Sequence, residues 1–278
     1  MRIAVLSCDP LPEPDPDEAP LRSALGKRGA SVTVLPWDRP DVDWSTFDRV
    51  VVRATWDYHR RPEAFLATLR SIDRSTTLIN PLAVVHWNHH KRYLLQLASA
   101  GLPVVPTRCL SRGAEPPRLS MDQDWVIKPA VSGSSWETRC LQGLEARSFL
   151  RDSLRSRDTL VQPALPGFAD PGELSLVFLG GTFHHAVRKH PRFADDDEQV
   201  EAVEHVDEHA IAVAGRALDE LPAAPTFARV DLVVHDGGPC ISELEAIEPS
   251  LFLAFASTAA GRLADLVIQG GSHGRATG

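Results

Sequence analysis

Short apolar runs alternate with amphipathic segments along the first part of the chain. The runs with the apolar, β-branched composition of strands are 2–8, 31–37, 48–58 and 76–81. The segments with apolar residues at helical spacing are 17–30 and 62–73. This β-α-β-β-α-β order predicts a small parallel α/β domain over residues 1–85. Ligands of such sheets bind beyond the carboxyl ends of the strands, which places Arg53, Asp57 and Tyr58 near a predicted cleft; a capped strand end with ordinary packing is an equal alternative.

After residue 85 the pattern changes to single strands, helices and hairpins. The predicted helices are 89–101, 146–156, 208–221 and 251–269. The predicted strands are 124–138, which runs into a loop of glycine and serine, and 159–165. Two hairpins are predicted, over 172–191 with a turn at Gly180-Gly181, and over 228–250 with a turn around Asp236-Gly237-Gly238.

Composition excludes several classes of protein. The 278 residues are 43% hydrophobic and 24% charged, which is enough to form a hydrophobic core without disulfide bonds. Four cysteines lie far apart with no Cys-x-x-Cys pair, so we expect no disulfide framework or zinc site, and a reducing cytoplasm as the location. No apolar run is long enough to span a membrane, and the first residues predict a strand instead of a signal peptide. A net charge of −8 argues against binding to a nucleic-acid backbone.

The last predicted hairpin carries unusual carboxylates. Glu243 and Glu245 are two residues apart and therefore share a face of their strand, as Arg229 and Asp231 do on the partner strand. A three-residue turn centred on Gly237 would place Asp231 opposite Glu243, whereas a strict two-residue turn would pair residue 231 with residue 244. Acids and a base together favour a Mg²⁺–phosphate site, with a solvated acidic face as the alternative.

Lysine is scarce, and three of the four lysines lie beside other candidate residues. Lys128 ends an apolar strand just before the loop Ser132–Ser135, whose small residues would let backbone N–H groups approach phosphate oxygens. This is not a Walker A motif, because the lysine precedes the loop. Glu173 begins one strand of the first hairpin and is a candidate for the hydroxyls of a ribose, while Lys189 ends its partner strand and would meet phosphate.

The ordered set of these residues resembles the ATP-grasp ligases. The matching positions are Lys91, Lys128-Pro129, Ser132–Ser135, Glu173, Lys189, Arg229-x-Asp231 and Glu243-x-Glu245. The resemblance covers nearly the whole chain. It implies an α/β (α+β ATP-grasp) fold in which the N-terminal domain, 1–85, helps to bind the substrate. ATP would then lie between two α+β subdomains, 86–165 with a loop over the phosphates, and 166–278 with the metal site.

The resemblance also implies roles for individual residues. The nucleotide would be bound by Lys91, Lys128, Ser132, Ser134, Ser135, Gln162, Glu173 and Lys189, with Gln162 on the strand that holds adenine. Mg²⁺ would be held by Asp231, Glu243 and Glu245. Arg229, Lys128 and Lys189 would stabilise the transferred phosphoryl group. The substrate would be contacted by Arg53, Asp57, Tyr58, Arg188 and Ser250.

Within the superfamily, segments 53–66, 80–107 and 243–253 are most similar to the O-ureido-D-serine cyclo-ligases of D-cycloserine biosynthesis. The expected activity is ATP-dependent ligation of a carboxylate to an amine through an acyl phosphate, on a small amino-acid-like substrate, within one molecule or between two. The alternatives are a kinase that stops at phosphorylation and a nucleotide-binding regulatory module without turnover. The sequence does not decide between a monomer and a homodimer.

Two features depart from the family pattern, and a third suggests a different kind of site. Glu245 stands where the family usually has Asn, which adds negative charge. Residues 190–199 replace a Gly-Asp-Phe-Arg-like segment. Their aspartates, 195–197, are expected to form a solvated loop within the acidic run 195–208, with contact to an amine substrate as the alternative. The spacing of His86, His89 and His90 would suit a transition metal on a helix, but a helix start beside Lys91 is the preferred interpretation.

Overall fold

A computed structural model of the chain describes residues 1–133, 136–190 and 199–270. Its first sheet has four parallel strands in the order β2-β1-β3-β4. These are β1 (Arg2–Ser7), β2 (Ser31–Pro36), β3 (Arg49–Ala54) and β4 (Thr77–Ile79), with helices α1 (Glu18–Gly26) and α2 (Pro62–Ser75). Helix α2 begins with a proline in its first turn, which suits a helix start, and buries one face. The predicted parallel α/β arrangement is confirmed.

The helix predicted over 89–101 was wrong in its bounds. The structure has two short helices, α3 (Leu82–Asn88) and α4 (Tyr93–Ser99), with Lys91 in the link between them. The link is held by tertiary contacts, because the Asn88 amide bonds to the backbone of Leu244 and Ala246, and the Lys91 backbone N–H bonds to Ala130 at 2.7 Å. Helical periodicity does not reveal such contacts.

The middle of the chain forms a four-stranded antiparallel sheet in the order β5-β8-β6-β7. Its elements are β5 (Arg108–Leu110), β6 (Asp124–Pro129), β7 (Arg139–Gln142), helix α5 (Gly143–Leu154) and β8 (Thr159–Pro163). Strand β7 was not predicted because it is short and mostly exposed, and so lacks an apolar run. Helix α5 packs on this sheet to form a separate small core.

The C-terminal part forms a five-stranded antiparallel sheet in the order β11-β10-β9-β12-β13. Its elements are β9 (Glu173–Leu179), β10 (Thr182–His190), β11 (Gln199–Val203), α6 (Glu208–Asp219), β12 (Phe227–His235), β13 (Gly238–Glu245) and α7 (Ala259–Gln269). Edge strand β11 lies in the acidic run where no strand was predicted, since it is only five residues long and none of them is buried. No helix in the described ranges is long and apolar enough to cross a membrane.

The two faces of this last sheet have different partners. Even-numbered residues of β9, such as Leu176 and Phe178, pack under α4 and α6. On the opposite face, the odd-numbered residues Val177 and Leu179, near the C-terminal end of β9, pack against α7 and against the N-terminal domain. The remaining odd positions of β9 are Glu173 and Ser175. The face shared with the N-terminal domain is therefore apolar at one end and polar at the other.

The last hairpin turns within the predicted residues 236–238, and Asp231 pairs with Glu243, as the metal-site prediction requires. The turn has two residues, Asp236 and Gly237, since His235 pairs with Gly238. That register alone would place residue 242 opposite Asp231. An irregularity in the ladder next to Asp231 shifts the register, and Asp231 pairs with Glu243.

Candidate active site

Asp231 is the centre of the polar end of the C-terminal sheet. Its side chain is 2% exposed and accepts four hydrogen bonds. Arg229 donates from Nε at 2.8 Å and from Nη2 at 2.9 Å, the Ser175 hydroxyl donates at 2.6 Å, and Lys189 Nζ lies at 3.1 Å. Although burial opposes ionisation, Arg229 and Lys189 hold the pKa of Asp231 well below its usual range. The carboxylate is therefore ionised at neutral pH.

Glu173 and Lys189 extend the cluster toward the start of β9. Lys189 Nζ lies 2.6 Å from Glu173, whose other oxygen accepts a bond from the Ser242 hydroxyl at 2.6 Å. Although burial opposes it, Asp231 and Glu173 raise the pKa of Lys189. The assignment of Glu173 to ribose and of Lys189 to phosphate stays a prediction; in the structure the two side chains pair with each other. Ser175 and Ser242 were missed, although Ser175 follows Glu173 by two residues and so shares its face.

The other two predicted metal ligands are also paired with basic side chains. Glu243 contacts Lys91 Nζ, and Glu245 accepts from Arg229 Nη2 at 2.8 Å. In the described parts of the chain, no group of three or more His, Cys, Asp or Glu residues is placed to hold a metal ion. The donor set nevertheless suits Mg²⁺, which is often held by one or two carboxylates and completes its shell with phosphate oxygens and water. Among the described residues, His86, His89 and His90 form no such group either, and His86 lies in the last turn of α3, not at a helix start.

Lys128 faces this cluster from the end of β6 in the middle sheet. Burial and the nearby charge of Lys91 lower the pKa of Lys128 to about 8. Burial also lowers the pKa of Lys91. Two lysines thus lie close together in a buried setting, which favours occupation of this space by an anion.

The loop and the predicted adenine strand are only partly described. The Ser132 hydroxyl donates to the Pro129 carbonyl at 3.2 Å and is buried, while Ser134 and Ser135 lie outside the described residues, as does 195–197. Gln162 is 2% exposed on β8, and its side-chain amide donates to the Thr107 hydroxyl at 2.8 Å. Their roles toward a nucleotide stay predictions.

The predicted substrate residues are placed differently from one another. Arg53 is 3% exposed and donates to Asp17 at 3.1 Å and to the Pro249 carbonyl at 2.9 Å. Asp57 accepts from the Trp37 indole at 2.7 Å. These contacts give Arg53 and Asp57 a structural function whether or not they also contact substrate.

Tyr58, Arg188 and Ser250 complete the predicted substrate set. Tyr58 is buried, and burial together with the charge of Glu248 raises the pKa of its phenol well above the usual value. Arg188 lies 3.5 Å from the Gly172 carbonyl, and the Ser250 carbonyl accepts from Arg229 at 3.2 Å. Ser250 is thus in direct contact with the cluster, whereas the contact of Arg188 is to the chain before β9.

Three comparisons with known proteins agree on one family. Residues 3–80 match the family model for the N-terminal domain of the D-cycloserine synthetase DcsG. The chain is 31% identical to the cycloserine biosynthesis protein DcsG of Streptomyces lavendulae, over 97% of this chain and 99% of that protein. The crystal structure of D-cycloserine synthetase DcsG superposes with a TM-score of 0.86 at 29% identity, covering 97% of this chain and 100% of the other.

More distant structures share the fold. The D-alanine–D-alanine ligase of Bacillus anthracis, solved in complex with ATP, has a TM-score of 0.70 at 15% identity, covering 97% of this chain and 96% of that one. The ATP-grasp ligase PsnB, solved with a minimal precursor, has a TM-score of 0.67 at 18% identity, covering 96% and 98%. The shared fold, and the close similarity to DcsG over almost the whole of both chains, show that this chain belongs to the ATP-grasp ligases that join a carboxylate to an amine.

Proposed function

We propose that this ligase closes a ring within one amino-acid-derived molecule, with O-ureido-D-serine as substrate and D-cycloserine as product. The observation that carries the proposal is the similarity to DcsG, which extends over 97% of this chain and 99% of that protein. Because a similarity of this length includes the N-terminal domain as well as the nucleotide-binding part, it supports a common substrate class and not only a common fold.

The charges of the site suit a metal–triphosphate ligand. Four cations, Lys91, Lys128, Lys189 and Arg229, face four carboxylates, Glu173, Asp231, Glu243 and Glu245. Polyphosphate would take the cations, and the freed carboxylates would need a replacement cation. A triphosphate alone would add uncompensated negative charge to a buried site, so we expect the nucleotide and Mg²⁺ to bind together.

The proposed chemistry needs no protein nucleophile. A substrate carboxylate oxygen attacks the γ-phosphorus of ATP, the bond to the β-phosphate oxygen breaks, and ADP and an acyl phosphate form. A substrate nitrogen then attacks the acyl carbon, phosphate leaves, and the nitrogen loses its proton. In O-ureido-D-serine this nitrogen also carries a carbamoyl group, which water must remove as carbamic acid, and carbamic acid decomposes to CO2 and NH3. Arg229, Lys128 and Lys189 stabilise the charge on the transferred phosphoryl group. The protein's other contribution is to hold the reacting groups in line and to exclude water.

Asp231, Glu243 and Glu245 would hold Mg²⁺ in this site. The ion would supply charge neutralisation at the phosphate oxygens. Each of these carboxylates is paired with a basic side chain in the structure, so binding of Mg²⁺ would require them to exchange partners.

The test is a reaction of the purified protein with ATP, Mg²⁺ and O-ureido-D-serine, followed by mass analysis. We expect ADP, phosphate and D-cycloserine in equal amounts. A kinase would release ADP and a phosphorylated product without free phosphate, and a regulatory module would bind ATP without releasing ADP. Lys128→Ala should abolish the reaction, and Lys27→Ala, at an exposed lysine of the N-terminal domain, should not. Absence of D-cycloserine from an otherwise active wild-type protein would refute the substrate assignment.

A further inference from the structure

Two buried polar side chains beside the carboxyl end of β3 have no hydrogen-bond partner in the described part of the chain. The Thr55 hydroxyl is fully buried, and both ring nitrogens of His59, which is 8% exposed, are unpaired. Burial lowers the pKa of His59, which favours the neutral ring with one donor and one acceptor nitrogen. Buried polar groups are rarely left unpaired, and exceptions at the end of a parallel strand point to a bound ligand.

Glu248 faces the same place from the chain that follows β13. Unlike Glu243 and Glu245, it forms no salt bridge or hydrogen bond with another described residue. Burial and the charge of Glu245 raise the pKa of Glu248 to about 8, even though Lys91, Arg229 and Arg53 oppose the rise. No described residue donates a hydrogen bond to the Glu248 carboxyl group, whereas a carboxyl group with an ordinary structural role would have such a donor.

The acceptors converge beside Gly133. The position that a Cβ atom on residue 133 would occupy lies 3.3 Å from Glu248 Oε1, 3.7 Å from His59 Nδ1 and 3.8 Å from the Trp56 carbonyl oxygen. A side chain at this position would crowd the carboxyl group, so the absence of one keeps the acceptors accessible. The Trp136 ring packs against His59 with centroids 4.7 Å apart and ring planes tilted by 39°, which restricts the imidazole.

We infer that Glu248, His59 and the Trp56 carbonyl bind the α-ammonium group of the amino-acid substrate. An ammonium group has three donors and no acceptor, which matches a ring nitrogen, a carbonyl and a carboxyl group around one small volume. The positive charge of the ammonium group would also favour the ionised form of Glu248. The inference rests on the proposed function, because the ammonium group belongs to the amino-acid substrate of the proposed reaction. It makes Glu248 a residue that determines specificity for amino acids over their des-amino analogues.

The test compares O-ureido-D-serine with its des-amino analogue, 3-(ureidooxy)propanoate, in wild type, Glu248→Gln and His59→Asn. We expect wild type to prefer the amino acid, and Glu248→Gln to reduce this preference in kcat/KM at least tenfold through KM. The KM for ATP should not change, and neither should turnover of the analogue. Glu220→Gln, at an exposed glutamate near the end of α6, is the matched control. Glu248→Asp, which keeps the charge, should retain part of the preference and replaces Glu248→Gln if that variant does not fold.

The outcomes separate this inference from the proposed function. If wild type turns over O-ureido-D-serine and Glu248→Gln lowers activity on both compounds equally, Glu248 is structural and the inference is refuted. If wild type has no turnover, the proposed function fails, and calorimetric titration with D-serine and with 3-hydroxypropanoate decides the inference. Binding of D-serine that requires Glu248 would support it, and equal binding by wild type and Glu248→Gln, or none by either, would refute it.

Discussion

Replacing Asp231 by Asn should destabilise the ligand-free protein strongly. The change removes a carboxylate that is 2% exposed and accepts from Arg229, Lys189 and Ser175. Breaking a buried ion pair by removing one partner costs about 3–5 kcal/mol. Lys189 keeps Glu173 at 2.6 Å and Arg229 keeps Glu245 at 2.8 Å, so we expect the lower end, about 3 kcal/mol. For a chain of this size, that corresponds to a drop in Tm of about 6–12 °C.

Thermal unfolding of the ligand-free protein, followed by far-UV circular dichroism, is the measurement. Glu245→Gln is the control, because Glu245 is 29% exposed and has one charged partner at 2.8 Å, which predicts a loss of at most about 1 kcal/mol. The reasoning is wrong if Asp231→Asn melts within about 2 °C of wild type, or if both variants lose the same stability. Saturating Mg²⁺ and ATP should raise the Tm of wild type by mass action and leave that of Asp231→Asn nearly unchanged.

The pH dependence of the same difference has a defined sign. Because the folded-state pKa of Asp231 is held below its unfolded value of about 3.9, the stabilisation is fully present above that pH. It is lost as the pH falls from there through the folded-state pKa. The difference in stability between wild type and Asp231→Asn should therefore be constant from neutral pH down to about 5 and then shrink. A difference that shrinks before pH 5 would assign the effect to another group.

Three further predictions concern the nucleotide, the metal and the contact between domains. Because the pKa of Lys128 is about 8, the affinity for ATP should fall above that pH by up to tenfold per pH unit. Lys128→Arg stays protonated, so its affinity for ATP should not change with pH in calorimetric titrations from pH 7 to 9.5. Glu245→Asn removes one candidate carboxylate ligand and should raise the Mg²⁺ concentration for half-maximal activity several-fold, whereas an unchanged Mg²⁺ titration would remove Glu245 from the metal site. Asn80→Ala deletes buried side-chain bonds to the backbone of Thr226, Phe227 and Ala246 and should lower stability by at least about 3 kcal/mol in thermal melts. Asn80→Asp should lose at least as much, because a buried carboxylate oxygen would face the Phe227 and Ala246 carbonyl oxygens to which the amide donates.

The parts of the fold that local pattern determines could be predicted from the sequence. The first four strands and both hairpins follow from runs of apolar residues and from turn residues, and the parallel order follows from the alternation of strands and helices. The break between α3 and α4 could not be predicted, since it depends on bonds from Asn88 to residues more than 150 positions away. The irregularity beside Asp231 was also hidden, although a two-residue turn pairs residues at odd separations and the even separation of Asp231 and Glu243 therefore required such a shift.

Within the site, charged residues were easier to find than neutral ones. Asp231, Glu243 and Lys189 stood out because charge is unusual in strands of this composition. Ser175, Ser242 and His59 carry no such signal, since serine and histidine occur in many structural settings. Glu248 was visible as a charge, but its distance from Gly133 depends on how the N-terminal domain meets the C-terminal sheet. Contacts between distant parts of a chain depend on tertiary packing, and the spacing of apolar residues along the sequence does not determine that packing.

The way the three sheets are joined determines which part of the enzyme can move. The N-terminal domain shares a hydrophobic core with α7 and the C-terminal sheet, and Asp17 accepts bonds from the backbone of Leu251 and Leu253 across that boundary. The middle sheet has its own core, and the chain enters and leaves it near Val105 and Leu165, which pack together with Val233 and Cys240. The middle sheet, which carries Lys128, also contributes Ala130 and Leu160 to the core under α4 and α6, so we expect it to shift as one unit about that contact when nucleotide binds. A paramagnetic label on α5 should change its distance to a label on α7 when nucleotide binds, while the distance from α7 to α2 stays fixed.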